Sequence, residues 1–207
     1  MAPVLGDMLD IALPRLLAAR LTHDLSGPIG TLMAAAGTSP GAPRSDELLA
    51  EAIETMRLRT RLYAAAFGLP DELAWQDMDE LLTGAPGAHR IVFNIRPPDG
   101  VAPPPGGLGQ LLLAALMLGA EALPRGGSVT LMSAPHAPFM VLPDGPGARW
   151  PHGFVDVLAG GTPEAARTPR GVLASWVPAL SQALKCRLSL GMGAGTVPPL
   201  VVQFAPH

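Results

Sequence analysis

The chain has one cysteine, Cys186, in 207 residues. That excludes an intrachain disulfide and any metal cage built from several thiolates, and it fits a reducing compartment. Charge is also scarce: Asp, Glu, Lys and Arg make up 15% of residues, and the formal net charge is −3. Without a basic surplus there is no electrostatic footprint for nucleic acid or for an anionic membrane surface. No stretch approaches the ~20 uninterrupted apolar residues that a spanning helix needs. Asp7, Asp10 and Pro14 break up the apolar N-terminal patches and no basic segment precedes them, so no signal peptide is expected. A cytoplasmic location follows as the expectation.

Apolar residues are plentiful, at 48% of the chain. A chain of this length can fold as one large domain or two small ones, each with its own core. Gly and Pro, at 24 each, gather at 37–43, 84–87, 97–109 and 143–153, where they punctuate the elements.

From about Leu5 to Ala36 the residues Leu17, Leu21, Leu25, Ile29 and Leu32 recur at helical steps. Pro14 fits a first turn, whereas Pro28 falls inside the pattern and is expected to kink it. After the turn 37–44, Ser45 offers an N-cap with Asp46 and Glu47 behind it. Leu49, Ile53, Met56, Tyr63 and Phe67 then keep a helical period until Gly68 and Pro70 stop it. Residues 5–68 therefore read as an αα-hairpin. Two helices cannot bury both stripes alone, so two hairpins are expected to pair as a dimeric four-helix bundle.

Beyond about residue 77 the texture changes. Strands are predicted at 91–95, 128–132 and 138–142, helices at 108–123 and 171–184, and a closing hairpin from 186–190 and 199–204. Pro178 is a possible kink in the second of these helices. The mixture lacks βαβ regularity, which predicts helices on one face of a mixed sheet. The fold class is α+β: a helical-hairpin unit over 1–70 and an α/β sandwich over 71–207.

The residue with most chemical promise is His23, in Leu21-Thr22-His23-Asp24-Leu25-Ser26-Gly27-Pro28. Two residues subtend about 200° on a helix, so His23 points away from the Leu21–Leu25 stripe. Its same-face neighbours are Leu16, Ala19, Arg20, Ser26, Gly27 and Gly30, mostly small or polar, leaving room for a partner surface. An exposed histidine without a role satisfies the same spacing. Three features argue for more: the adjacent carboxylate of Asp24, the small-residue clearing, and Pro28, which deprives the carbonyl of residue 24 of its usual donor.

The octet resembles the phosphoacceptor box of two-component histidine kinases: His, acid, Leu, two residues, Pro. A closer likeness over essentially the whole chain is to ChpT-type histidine phosphotransferases, which look like a kinase core whose second domain has lost nucleotide binding. Ala120-Glu121-Ala122-Leu123-Pro124-Arg125-Gly126-Gly127 is a further family-like stretch. Active kinase domains place an Mg²⁺-holding Asn on the helix before the Gly-Gly turn. Here those positions are Leu118 and Ala114, and the nearby amide, Gln110, is out of register. Asp144-Gly145-Pro146-Gly147 reads as a surface turn rather than a glycine box. Gly191-Met192-Gly193-Ala194-Gly195 has a phosphate cradle's composition, but it sits between strands and reads as a hairpin loop. No ATP and no metal of its own are expected.

The resemblance implies reversible transfer through His23 between receiver-domain aspartates, with Asp24 orienting the ring or acting as base. Arg20, Ser26, Gly27 and Gly30 would meet the docked receiver, and the receiver would bring its own Mg²⁺. The implied partners are a second copy of the chain and the receiver domains of a hybrid kinase and of response regulators. Gly27 stands where bifunctional kinases carry Thr or Asn, which implies transfer without much phosphatase activity. Two other readings remain open: a non-catalytic dimeric adaptor using the same surface, and an active kinase.

Elsewhere, His89, His136, His152 and His207 have no metal-ligand spacing. Arg57, Arg59 and Arg61 alternate on the second helix; Arg57 and Arg61 share a face that is either solvated or a receiver-docking surface. Ser26, Ser175 and Ser181 lack any nucleophile elbow.

Overall fold

The computed structural model describes residues 5–37, 45–96, 104–133, 137–161, 168, 171–192 and 197–204. The two long helices are α1 (Leu5–Ala36) and α2 (Ser45–Phe67), packed against each other as a hairpin. Because α1 begins at Leu5, Pro14 lies well inside it rather than in its first turn, and the helix also continues through Pro28. Asp46 and Glu47 occupy the first turn of α2, where the helix dipole favours carboxylates. At its other end the Gly68 N–H closes on the Ala64 carbonyl at 2.9 Å.

The remaining elements are α3 (Trp75–Leu82), β1 (Ile91–Arg96), α4 (Gly106–Glu121), β2 (Gly127–Met132), β3 (Phe139–Asp144), α5 (Phe154–Leu158), α6 (Val172–Ala183), β4 (Cys186–Leu190) and β5 (Leu200–Phe204). The five strands form one mixed sheet in the order β1-β2-β3-β5-β4. β4 and β5 are the expected antiparallel closing pair. One expectation needs correction. β1 and β2 run parallel, joined by α4, so the sheet does contain a βαβ unit. A single such unit leaves no repeating signal in the sequence. The short helices α3 and α5 are also absent from the sequence reading.

α4 explains the packing. From Leu111 to Leu118 every residue is at most 2% exposed. A helix apolar on all sides must be covered on all sides. Here β2 and β3 cover one side, and α2, α3 and α6 pack around the rest. The buried cluster therefore runs from the hairpin into the rest of the chain, since Leu62, Tyr63 and Ala66 of α2 belong to the same core as α4 and the sheet. Polar ties reinforce the join. The Gln110 amide donates to the carbonyls of Ala65 (3.3 Å) and Gly68 (2.8 Å), and the Trp176 indole N–H donates to Ala66 (2.9 Å). The carbonyls at the end of α2, which have no helical donor, are thus satisfied from α4 and α6. Among the described residues no helix is long and apolar enough to cross a membrane.

Candidate functional site

α1 presents His23 beside the C-terminal end of α4. Its side chain is 56% exposed, while that of the adjacent Asp24 is only 8% exposed. His23 Nδ1 lies 2.9 Å from Asp24 Oδ1. The other carboxylate oxygen, Oδ2, accepts from the Arg20 Nε and from the Tyr63 hydroxyl. Arg20 also reaches across to α4, where its Nη1 donates to Glu121 Oε1 at 2.6 Å. Four side chains from three helices thus hold one half-exposed imidazole.

The titration behaviour follows from this packing. Burial alone raises a carboxyl pKa, but the hydrogen bonds from Tyr63 and His23 and the charge of Arg20 outweigh it and hold Asp24 below the usual aspartate range. Burial likewise works against the Arg20 guanidinium, and the Glu121 and Asp24 carboxylates more than offset it. The Tyr63 phenol is pushed up by burial and by its bond to the Asp24 carboxylate, so it keeps its proton and acts as a donor. Asp24 is therefore ionised at neutral pH and can only accept. His23 Nδ1 must carry the proton between them, which leaves Nε2 with a free lone pair.

Pro28 has a local consequence. It has no N–H for the carbonyl of Asp24, four residues earlier. The Arg59 guanidinium of α2 donates to that carbonyl instead. The helix continues through Pro28, and the vacancy becomes a tie between α1 and α2.

Beside His23 lies an open cleft of about 430 Å³, lined by Arg20, His23, Asp24, Pro86, Gly87, Arg90, Glu121 and Pro151. Its walls come from α1 and from residues between 86 and 151. Gly27 and Gly30 face open space: a Cβ added at either meets nothing within 4 Å. Ser26 is exposed, but its hydroxyl donates to the Thr22 carbonyl at 2.6 Å and is engaged within the helix.

Arg20 requires a correction. The sequence places it on the open docking face, three residues before His23; the structure buries it to 5% exposure. Spacing on α1 fixes a residue's angular position but not what packs over it, and here the end of α4 does. Three residues of the site are missing from the sequence reading: Tyr63, Arg59 and Glu121. Tyr63 reads there only as a member of the apolar stripe. The available signals were the carbonyl left open by Pro28, with arginines on the neighbouring helix to fill it. Glu121 is also the one charge in the segment 108–123.

The remaining candidates lie elsewhere. Arg57 pairs with Glu54 and Arg61 with Glu80, all on the solvated surface. His89 and His152 are exposed, and Ser181 donates to the Pro178 carbonyl. His136, His207 and Gly193 to Gly195 fall outside the described residues. Asp144 ends β3, and the turn Gly145 to Ala148 that follows is closed by the Ala148 N–H on the Gly145 carbonyl. Leu118 and Ala114 are fully buried in the core. Among the described residues no three His, Cys, Asp or Glu side chains are grouped to hold a metal ion.

Residues 77–195 match a family model described as histidine phosphotransferase C-terminal domain. The match begins within α3 and does not include the His23 segment. Among solved structures, the chain is similar to one described as the 1.7 Å structure of a bacterial phosphotransferase. The TM-score is 0.72 and the identity 21%, over 98% of this chain and 97% of that one. The shared fold therefore includes the helical hairpin. Weaker similarity extends to the Acinetobacter baumannii histidine kinase AdeS, with TM-score 0.41 and 14% identity over 91% of this chain and 96% of that one. A histidine kinase from Burkholderia phymatum STM815 gives 0.36 and 16%, over 93% and 98%. No curated protein sequence matches the chain.

Proposed function

We propose that this chain, which belongs to the histidine phosphotransferase C-terminal domain family, is a ChpT-type phosphorelay carrier that moves a phosphoryl group between receiver aspartates through His23. The observation that carries the proposal is the His23–Asp24 pair: a half-exposed imidazole whose Nδ1 is held 2.9 Å from a buried, ionised carboxylate. In the step itself, the Nε2 lone pair attacks the phosphorus of a receiver's aspartyl phosphate. An N–P bond forms as the acyl phosphate P–O bond breaks, and the electron pair leaves on the receiver's carboxylate. Positive charge developing on the ring is met by Asp24 across the Nδ1 hydrogen bond. Transfer to a second receiver is the same step reversed.

The receiver brings its own Mg²⁺, so this chain needs neither metal nor nucleotide. Gly27 and Gly30 leave room for the receiver to approach, and Ser26 borders it. With no side chain at Gly27 to orient a water, we expect transfer without much hydrolysis. The same proposal includes a cytoplasmic location and a homodimer built on the hairpins. Exposed apolar residues on the hairpin, Ile29, Met33 and Ile53, support pairing with a second copy. So does the open apolar groove lined by Leu32, Ile53, Met56 and Ala64.

The test is a pairwise screen against radiolabelled phosphorylated receivers from the same genome, followed by a chase with unlabelled second receivers. Label passing through this chain from one receiver to another supports a carrier. Binding without label supports the dimeric adaptor in its place.

A further inference from the structure

We infer that Arg59 and Tyr63 of α2 are positioning residues for transfer, fixing the Asp24 carboxylate and backbone from which the His23 nucleophile is aimed. The inference rests on the carrier function proposed above, which gives neither residue a part. The two side chains are one turn apart and so share a face of α2. That face meets α1 at two different groups of one residue: the Tyr63 hydroxyl donates to Asp24 Oδ2, and the Arg59 guanidinium donates to the Asp24 carbonyl. Side chain and main chain of Asp24 are therefore both held from the neighbouring helix.

Tyr63 is itself fixed. It is 5% exposed. Its ring stacks on Phe67 with centroids 5.5 Å apart, and Phe67 meets Trp176 edge-on at 6.0 Å. Trp176 is tied to α2 by its indole N–H on the Ala66 carbonyl at 2.9 Å. The hydroxyl therefore ends a rigid aromatic file that begins on α6. With Oδ2 held by Tyr63 and Arg20, the carboxylate presents Oδ1 to His23 Nδ1. An ionised oxygen fixed at Nδ1 favours the tautomer protonated there, with Nε2 free to attack.

The experiment uses the full chain with ¹⁵N-labelled histidine and measures three quantities: the His23 tautomer by NMR, the single-turnover transfer rate, and receiver affinity. Tyr63→Phe keeps the ring and removes only the hydroxyl. The expected result is a larger Nε2-protonated population, transfer slowed about tenfold or more, and unchanged receiver affinity. Arg59→Met should slow transfer comparably, and Arg59→Lys should restore most of it, because the Asp24 carbonyl needs one donor. A hydroxyl that merely satisfies a buried polar group would move neither tautomer nor rate. An unchanged tautomer and rate in Tyr63→Phe overturns the inference, as does loss of fold in that variant or equal defects in Arg59→Lys and Arg59→Met. If the wild type accepts no phosphate from any receiver, the carrier function fails, while the tautomer still decides whether Tyr63 orients His23.

Discussion

Arg20 of α1 and Glu121 of α4, 101 residues apart in sequence, form an ion pair at 2.6 Å beneath the exposed imidazole of His23. The Arg20 guanidinium is shared with Asp24, so it links the helix that bears His23 to α4. Removing Glu121 takes away one of the two carboxylates that meet the buried Arg20 guanidinium and leaves Asp24 to offset its charge alone.

Glu121→Ala should therefore destabilise the fold by about 2 kcal/mol, the loss of one hydrogen bond between charged groups. Denaturant unfolding followed by circular dichroism measures this. An exposed pair such as Arg57–Glu54 provides the contrast: Glu54→Ala should change stability by less than about 1 kcal/mol.

Acid should destabilise the wild type partly through Asp24. Its carboxyl titrates below the ordinary aspartate range in the folded chain. The corresponding stabilisation is present above about pH 4, the unfolded value, and is lost as pH falls through the folded value. Between pH 5 and pH 3 the Asp24→Asn chain should lose less stability than the wild type. Unfolding midpoints across that range test the difference in slope.

Ile53 is 52% exposed on α2, so it contributes little to packing within one chain. Under the proposed assembly it is covered by the second copy. Ile53→Glu should leave helix content unchanged and convert a micromolar homodimer to monomer, as read by sedimentation velocity. A wild type that sediments as a monomer at that concentration removes the dimer.

Gly27→Arg should weaken receiver binding at least ~10-fold without loss of fold. The position opens onto space, and arginine is about 1 kcal/mol better than glycine within a helix. Receiver affinity by calorimetry, with thermal unfolding alongside, checks both halves.

The hairpin was legible because its cues are local. Helical periodicity runs from Leu17 to Leu32 and from Leu49 to Phe67, and Gly68 and Pro70 end it sharply. The His23–Asp24 pair was legible for the same reason, since its members are adjacent. Tyr63, Arg59 and Glu121 reach the site from 39, 35 and 101 residues away, and no short-range pattern carries that information. Tyr63 is the clearest case: its ring belongs to the core exactly as an apolar stripe predicts, and its hydroxyl has a separate partner on α1. Arg20 shows the opposite error, in which the spacing is right but the solvent is replaced by α4. The βαβ unit of β1, α4 and β2 was missed because it occurs once among antiparallel strands.

The central claim is that His23 itself carries the phosphoryl group. The most direct measurement compares the wild type with His23→Ala, each incubated with a radiolabelled phosphorylated receiver and then treated with acid or with base. An exposed side chain contributes little packing, so the variant should keep its fold. The wild type should acquire label that is lost in acid and retained in base, and His23→Ala should acquire none. Acid-labile label on His23→Ala, or no label on the wild type from any cognate receiver, contradicts the account.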